Sequence, residues 1–360
     1  MSNCAFNVPV NSVSFGQVST GLLRELKNRS LEPSVFPIGG QVDLSTQEPD
    51  VGFQEWVQKC CNKALSCHHR STPVIKLWHL NGSLESFSDK QLLLSFYELD
   101  SPTPAETNIA RNHTTVFTSQ ETCDVFKSHG AECHYLPLFF DKYNFKSTGK
   151  EYFNDGRITF NIVGKVEKRK RHEKTIRTWV KRFGNDKKYF LQCAIYNPFF
   201  KEQDNNQIVN GILEGNRFFN VNFLGFMAKN AIYNDFLNSA DIILGMSGGE
   251  GWGLPEFHSV GLGKHAVVMN AHAYKGWANE NNCTLVNPSG KIEAYDGVFF
   301  HKGQPFNQGN IYDYDEDEFI HACEQAIEKV EENRVNEEGQ KVQEEFTVEK
   351  TLDSLLKLVP

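Results

Sequence analysis

The stretch SGGEGWGLPEF, residues 247 to 257, sets a carboxylate, Glu250, among glycines and puts Pro255 in the first turn of a helix-like segment, PEFHSVGLG. An apolar run, DIILGMS (241–247), leads into it, so the expected geometry is strand, glycine loop, helix N-terminus. Free N–H groups and the positive end of a helix dipole make such a junction an anion site, and glycines let a phosphate approach the backbone. Glu250 cannot bind phosphate itself. A carboxylate at the edge of an anion site suits hydroxyls, and the ligand that carries hydroxyls beside a diphosphate is a nucleotide sugar. The plain alternative is a glycine-rich turn with a solvated acid.

A second stretch, GKVEKRKRHEK (164–174), puts Lys165 after a glycine at the end of a strand and Lys170 five residues on. A departing diphosphate needs fixed positive charge as its oxygens become more negative, which two lysines at a strand end supply. Lys168, Arg169 and Arg171 read as the solvated basic face of the helix that continues through TIRTWVKRF. A nucleic-acid patch is the rival functional reading of the same run.

The elements that must position these residues alternate along the chain, as in parallel sheets covered by helices. In the first half SVFPIG (34–39), PVIKLWHL (73–80), LLLSFYEL (92–99), TTVFTS (114–119) and ECHYLPL (132–138) read as strands. STGLLRELKNR is a helix with Leu22, Leu23 and Leu26 on one face. The pattern restarts with RITFNIVGK (157–165), KYFLQCAIY (188–196), FFNVNFLG (218–225), DIILGMS and HAVVMN (265–270). Between the halves the polar stretch KSTGKEYFNDG (146–156) reads as a linker, giving an N-terminal domain over 1–150 and a C-terminal one over 156–345. The tail, EEFTVEKTLDSLLKLV, is an amphipathic helix striped by Leu352, Leu355, Leu356 and Val359.

Composition narrows the class. A chain of 360 residues holds about two domains, and a net charge of -8 argues against general affinity for nucleic acid. No stretch is long and apolar enough for a membrane span, and MSNCAFNVPVNS has no signal-peptide pattern, so a soluble, unexported chain is expected. The nine cysteines are scattered without metal-ligand spacing and suit a reducing cytoplasm.

The order VGK-x4-K, then FLGFMAKNAIYNDFLNSADIILGMS, then GEGWGLPEFHSVGLGKHAVV resembles the C-terminal half of retaining GT-B glycosyltransferases of the family 4 type. That family carries G-R-x4-K followed by E-G-F-G-L-x3-E. The N-terminal half fits more loosely, through FGQVSTGLLREL after a first strand, FYELDSPTP, VFTSQETCDVFKSHGA and YLPLFFDKYNF. WHLNGSLESFSDKQLLLSFYELD is similar to virus-encoded members, which would put the chain in a host cytoplasm. The resemblance implies two Rossmann-like α/β domains facing across a cleft, with the helix at 346–360 crossing back onto the first. It puts Lys165 and Lys170 on the donor diphosphate and Glu250 on the donor sugar hydroxyls. Gly251, Trp252, Gly253 and Leu254 then lie against phosphate and sugar, Gly225, Phe226 and Met227 against the nucleobase, and Gly16 faces the donor from the first domain.

Two departures stand out. Lys165 replaces an Arg, keeping the charge and losing the bidentate fork. His258 stands where the second glutamate accepts from the ribose; a neutral imidazole there can still bond a hydroxyl. Glu256 is no easy substitute, since two residues along a helix turn it by roughly 200°.

Other candidates lie outside these motifs. His79, Glu98 and Asp100 end strands of the first half and are candidates for binding or deprotonating an acceptor hydroxyl, against core packing or local capping. Asp313 and Asp315 form a D-x-D that in another glycosyltransferase fold would hold a metal, yet in DYDEDEF they read as a helix start.

The expected activity is transfer of a glycosyl unit from a nucleoside-diphosphate sugar to the hydroxyl of a glycan, lipid or other acceptor. Retention is implied by the resemblance, and neither a metal nor another obligate cofactor is expected. The alternatives are a noncatalytic nucleotide-sugar or glycan-binding module, and a transferase acting on modified DNA with KRKRHEK on the backbone.

Overall fold

The computed structural model describes residues 4–153 and 155–360; residue 154 of the expected linker and the first three residues of MSNCAFNVPVNS lie outside it. Two six-stranded parallel sheets carry the chain. The first contains β1 (Ala5–Val10), β2 (Val35–Val42), β3 (Val74–Leu77), β4 (Gln91–Ser95), β5 (Thr114–Phe117) and β6 (Cys133–Tyr135), in the order β2-β1-β3-β4-β5-β6. The second contains β7 (Ile158–Val163), β8 (Tyr189–Ala194), β9 (Val221–Phe223), β10 (Ile242–Gly245), β11 (His265–Met269) and β12 (Thr284–Val286), in the order β12-β11-β10-β7-β8-β9. Helices between the strands bury them; β1, β3, β4, β7, β10 and β11 are buried at every residue. That is why these strands mostly read as continuous apolar runs.

Four strands escape the apolar-run reading. Pro9 interrupts β1, and a proline inside a run argues against a strand; here it sits near the end of β1. β12 is three residues, Thr284–Val286, between Cys283 and Asn287. The antiparallel pair β13 (Pro288–Glu293) and β14 (Asn310–Tyr314) is largely polar and partly exposed.

In each sheet the strand order reverses direction next to the first strand, between β1 and β3 and between β7 and β10. Open α/β sheets form their ligand crevice at such a switch point, outside the carboxyl ends of the strands. The loops leaving β7 and β10 are GKVEKRK and MSGGEGWG; those leaving β1 and β3 carry Asn11 to Val13 and Trp78–His79.

The two halves are tied at several places. Residues of the β13–β14 hairpin, Ala294, Phe300 and Ile311, share one buried cluster with Leu93, Tyr97, Leu99 and Phe117 of the first sheet's half. The last helix, Val348–Leu358, buries Leu352 and Leu355 and packs against the helix Ser14–Asn28, where Arg29 pairs with Asp353. Lys146 and Thr148 dock by their amides on Asn234 and Asn238 of the helix Asn230–Asn238.

Candidate active site at the facing switch points

The loop after β7 turns at Gly164, whose φ of +125° is open to glycine, and a Cβ there would lie 3.4 Å from the Lys170 side chain. Residues Lys168–Lys170 then form a short 3-10 turn, so neighbours diverge. Lys168 is exposed, whereas Arg169 and Lys170 are buried at 6% and 8% exposure. The expectation of a solvated basic face thus fails for Arg169. Arg171 is half-buried and pairs with Asp313 at 2.7 Å, as Lys174 does at 2.8 Å. The run therefore presents no continuous cationic face.

Around Arg169 the structure assembles an ion cluster. Lys170 donates to Oε1 of Glu250, and Arg169 Nη1 lies 3.2 Å from the same oxygen. Arg169 also reaches Glu167 at 2.9 Å, Glu98 at 3.0 Å and the Gly249 carbonyl at 2.8 Å. Lys165 pairs with Glu167 at 3.0 Å, and its ammonium lies over the rings of Phe199 and Phe299 at 4.9 and 5.6 Å. Burial alone would raise the Glu250 carboxyl, but Lys170 and Arg169 hold it well below the usual carboxylate range. Glu167 is lowered in the same way by Arg169 and Lys165. The three sequence candidates Lys165, Lys170 and Glu250 come together; Arg169 and Glu167 join them. The signal for Arg169 was its position in a tight turn after a buried strand, which a helical reading of the charges hides.

Beyond Glu250 the chain enters the helix Leu254–Gly261, with Gly253 in the left-handed conformation at φ +78° before it. The amides of Gly249, Glu250, Gly251, Trp252 and Gly253 donate to no protein acceptor among the described residues. The bare backbone of this loop serves a purpose not expected from sequence. A Cβ on Gly251 would lie 2.6 Å from that of Phe96, one on Gly249 would strike the Glu98 carbonyl, and one on Gly248 the Tyr312 backbone. These glycines let the first half and the hairpin close on the loop. Thr118 adds a hydrogen bond to the Gly251 carbonyl. The Trp252 ring is buried against Phe257 and Phe346, and its carbonyl accepts from Trp277 at 2.9 Å.

His272, which sequence reading missed, hydrogen-bonds the Glu250 carbonyl through Nδ1 at 2.5 Å while its amide donates to Glu121. Its φ of +52° is unusual outside glycine, and burial lowers the pKa of the ring.

The remaining candidates divide. His79 is exposed at the carboxyl end of β3 and packs on Phe15 at 4.5 Å, with Phe96 on the other contact of Phe15 at 4.3 Å. Crowding by its neighbours and the nearby cations Lys165 and Arg169 lower its pKa. Glu98 faces the cluster through Arg169. Asp100 does not belong there: it accepts from the Asn310 amide at 2.7 Å and Lys291 at 2.9 Å and so pins the hairpin. Gly16 lies in the first turn of its helix, where a Cβ would strike Asn11. Gly225, Phe226 and Met227 follow β9 at the edge of the second sheet, with Gly225 and Phe226 exposed.

His258 is buried, stacked on Phe145 at 4.2 Å and edged by Phe140 at 5.3 Å; Nε2 accepts from the Asp141 amide at 3.4 Å. Burial pushes its pKa down to about 3. Its ring is spent on packing between the halves. Glu256 turns toward Gly245 and Tyr274, and burial pushes its carboxyl up. Asp315 caps the helix Glu316–Glu332 through the amides of Asp317 and Glu318. Among the described residues no group of three His, Cys, Asp or Glu could hold a metal ion, and no helix is long and apolar enough to cross a membrane.

Two parallel sheets whose switch points face each other, joined by a last helix that returns to the first half, make up the GT-B fold of glycosyltransferases. Solved structures of that fold match nearly end to end. Sucrose-phosphate synthase from Thermosynechococcus elongatus aligns with a TM-score of 0.69 at 12% identity, covering 99% of this chain and 98% of its own. A glycosyltransferase from Rickettsia africae gives 0.68 at 10%, covering 99% and 97%. Anabaena HepE in complex with UDP and glucose gives 0.66 at 14%, covering 99% of each. At these identities the likeness is one of fold. No protein-family model matches the sequence, and no curated protein matches it.

Proposed function

We propose that the chain is a glycosyltransferase that moves a sugar from a nucleoside-diphosphate sugar to an acceptor hydroxyl, with retention at the anomeric carbon. The observation that carries this reading is the meeting of Lys165, Arg169 and Lys170 with the unpartnered amides of 249–253 at a switch point of the second sheet. Fixed cations and amides suit a diphosphate, and Glu250 beside them suits sugar hydroxyls. UDP and glucose in HepE are consistent with a donor of this class.

In this mechanism the C1–O bond of the donor lengthens toward an oxocarbenium-like state while Lys165, Lys170 and the amides ahead of Pro255 hold the departing diphosphate. The acceptor oxygen bonds C1, and its proton leaves with the diphosphate. Glu250 orients the sugar and makes no bond to it. The lysines and amides supply the positive charge, so no metal is required. The donor half begins near 156 and the acceptor half ends near 150. Gly225, Phe226 and Met227 take the base, Gly16 faces the donor from the first half, and His79 and Glu98 lie on the acceptor side.

A thermal-shift screen against UDP, GDP, ADP and CMP and their common sugars, repeated on Glu250→Ala and Lys170→Ala, tests this. A shift with one nucleotide that Lys170→Ala weakens is expected. No shift with any of them counts against the proposal. The buried His258 supports a second reading, a binding module without turnover, because the ribose-facing glutamate of the family has no carboxylate here. Saturable donor binding with no product over a broad acceptor panel would favour it.

A further inference from the structure

The lysines assigned to the diphosphate are already engaged, Lys165 with Glu167 and Lys170 with Glu250. The side chains of both acids are at least nine-tenths buried. Turning either ammonium to a phosphate would strip a buried carboxylate of its partner, which is strongly unfavourable unless another cation remains. Without one, an incoming diphosphate would also meet the carboxylates' own charge.

One side chain touches every acid of the cluster. Arg169 donates from Nη1 to Glu250 at 3.2 Å and to the Gly249 carbonyl at 2.8 Å, and its guanidinium forms ion pairs with Glu98 at 3.0 Å and Glu167 at 2.9 Å. Its own carbonyl accepts from the Gly248 amide at 2.8 Å and the Ser247 hydroxyl at 3.2 Å, so its backbone is pinned to the glycine loop. A broad guanidinium whose charge is spread over three nitrogens stays within 3.2 Å of three acids at once, which the single nitrogen of a lysine does less well.

We propose that Arg169 is a positioning residue: it is the cation that stays on Glu98, Glu167 and Glu250 while Lys165 and Lys170 turn to the diphosphate of a nucleotide, so that none of the three acids is left without a cationic partner. The inference rests on the nucleotide-sugar reading and adds to it how the site exchanges its internal charge for the ligand's. Three acids and three cations balance before binding. After binding Arg169 alone faces the acids, one charge shared among three carboxylates of which Glu98 is also a quarter exposed to water, and the lysines face the phosphates.

Titration calorimetry with UDP, GDP and ADP, each against its parent nucleoside as a phosphate-free control, tests the inference. Arg169→Gln is expected to weaken binding of the nucleoside diphosphate about tenfold or more and to leave the nucleoside unchanged. Arg169→Lys, which keeps one charge and one donor nitrogen, should fall between. Glu167→Gln removes an acid without removing a cation, so it should tighten diphosphate binding, and added to Arg169→Gln it should restore part of the loss. Should Arg169→Gln fail to fold, Glu167→Gln and Arg169→Lys decide alone. Unchanged diphosphate affinity in the Arg169 variants, or weakened affinity in Glu167→Gln, overturns the inference. A wild-type chain that binds none of the three diphosphates instead overturns the nucleotide-sugar reading, and the inference with it.

Discussion

Arg169, in the turn after β7, and Glu98, in the loop after β4, meet across the interdomain cleft at 3.0 Å. Glu98 is a quarter exposed, so the pair is wet on one side, and Arg169 keeps Glu167 and Glu250 if Glu98 is neutralised. Glu98→Gln should therefore cost only about 0.2–1 kcal/mol of stability in a urea titration. A loss above about 3 kcal/mol, the scale of breaking a buried pair, would mean that the cleft is dry at this point.

Gly251 tests how tightly the two halves close. Its absent Cβ leaves room for Phe96, and Gly251→Ala forces an overlap at 2.6 Å. Overpacking of this kind costs about 1–3 kcal/mol. In a double-mutant cycle with Phe96→Gly, which removes the Cβ that the new methyl meets, the two substitutions should couple favourably; strictly additive losses would show that the loop relaxes away from Phe96 unaided.

Asp100 holds the hairpin. Asp100→Ala leaves the Asn310 amide and Lys291 without their acceptor, a loss of about 1–3 kcal/mol if the amide stays dry. Hydrogen exchange should speed up over β13 and β14 and stay slow in β7, β10 and β11. Nucleotide binding should persist, since Asp100 touches none of the ion cluster; its loss would assign Asp100 a role beyond the hairpin.

His258 gives the chain an acid-side weakness. Its pKa is near 3 when folded, held down by burial, against an ordinary value of 6.5. The unfolded chain takes up a proton below about pH 6.5 and the folded one does not, so stability present above that pH is lost as pH falls toward 3. For one such histidine the loss by pH 5 is about 2 kcal/mol. His258→Gln should flatten the stability profile between pH 7 and 5 by that amount. His172, lowered to about 3 by burial and Lys170, adds its own loss over the same range, so an unchanged slope in His258→Gln would mean that the folded chain protonates His258 as readily as the unfolded one.

Much of the fold was legible because buried parallel strands are continuous apolar runs: 157–165, 188–196, 241–247 and 265–270 contain β7, β8, β10 and β11. The strand ahead of FGQVSTGLLREL came from family resemblance, since Pro9 breaks its apolar pattern. The hairpin was illegible, for its partly exposed, polar strands alternate weakly, and its apolar residues pack into the other half of the chain.

Sequence by itself determined the fold class and the residue types at the two switch-point loops, because period, apolar run length and glycine-helix junctions are local properties. Tertiary structure alone decided the partners. Arg169 turns inward to Glu250, 81 positions away; Asp100 goes to Asn310, 210 away; His258 stacks on Phe145, in the segment ahead of β7. A local pattern states that a side chain is charged or aromatic, and the crossovers that bring two sheets face to face choose what it meets. The same glycines that read as room for a phosphate also make room for Phe96 and Glu98, since bare backbone admits whichever group the fold brings closest.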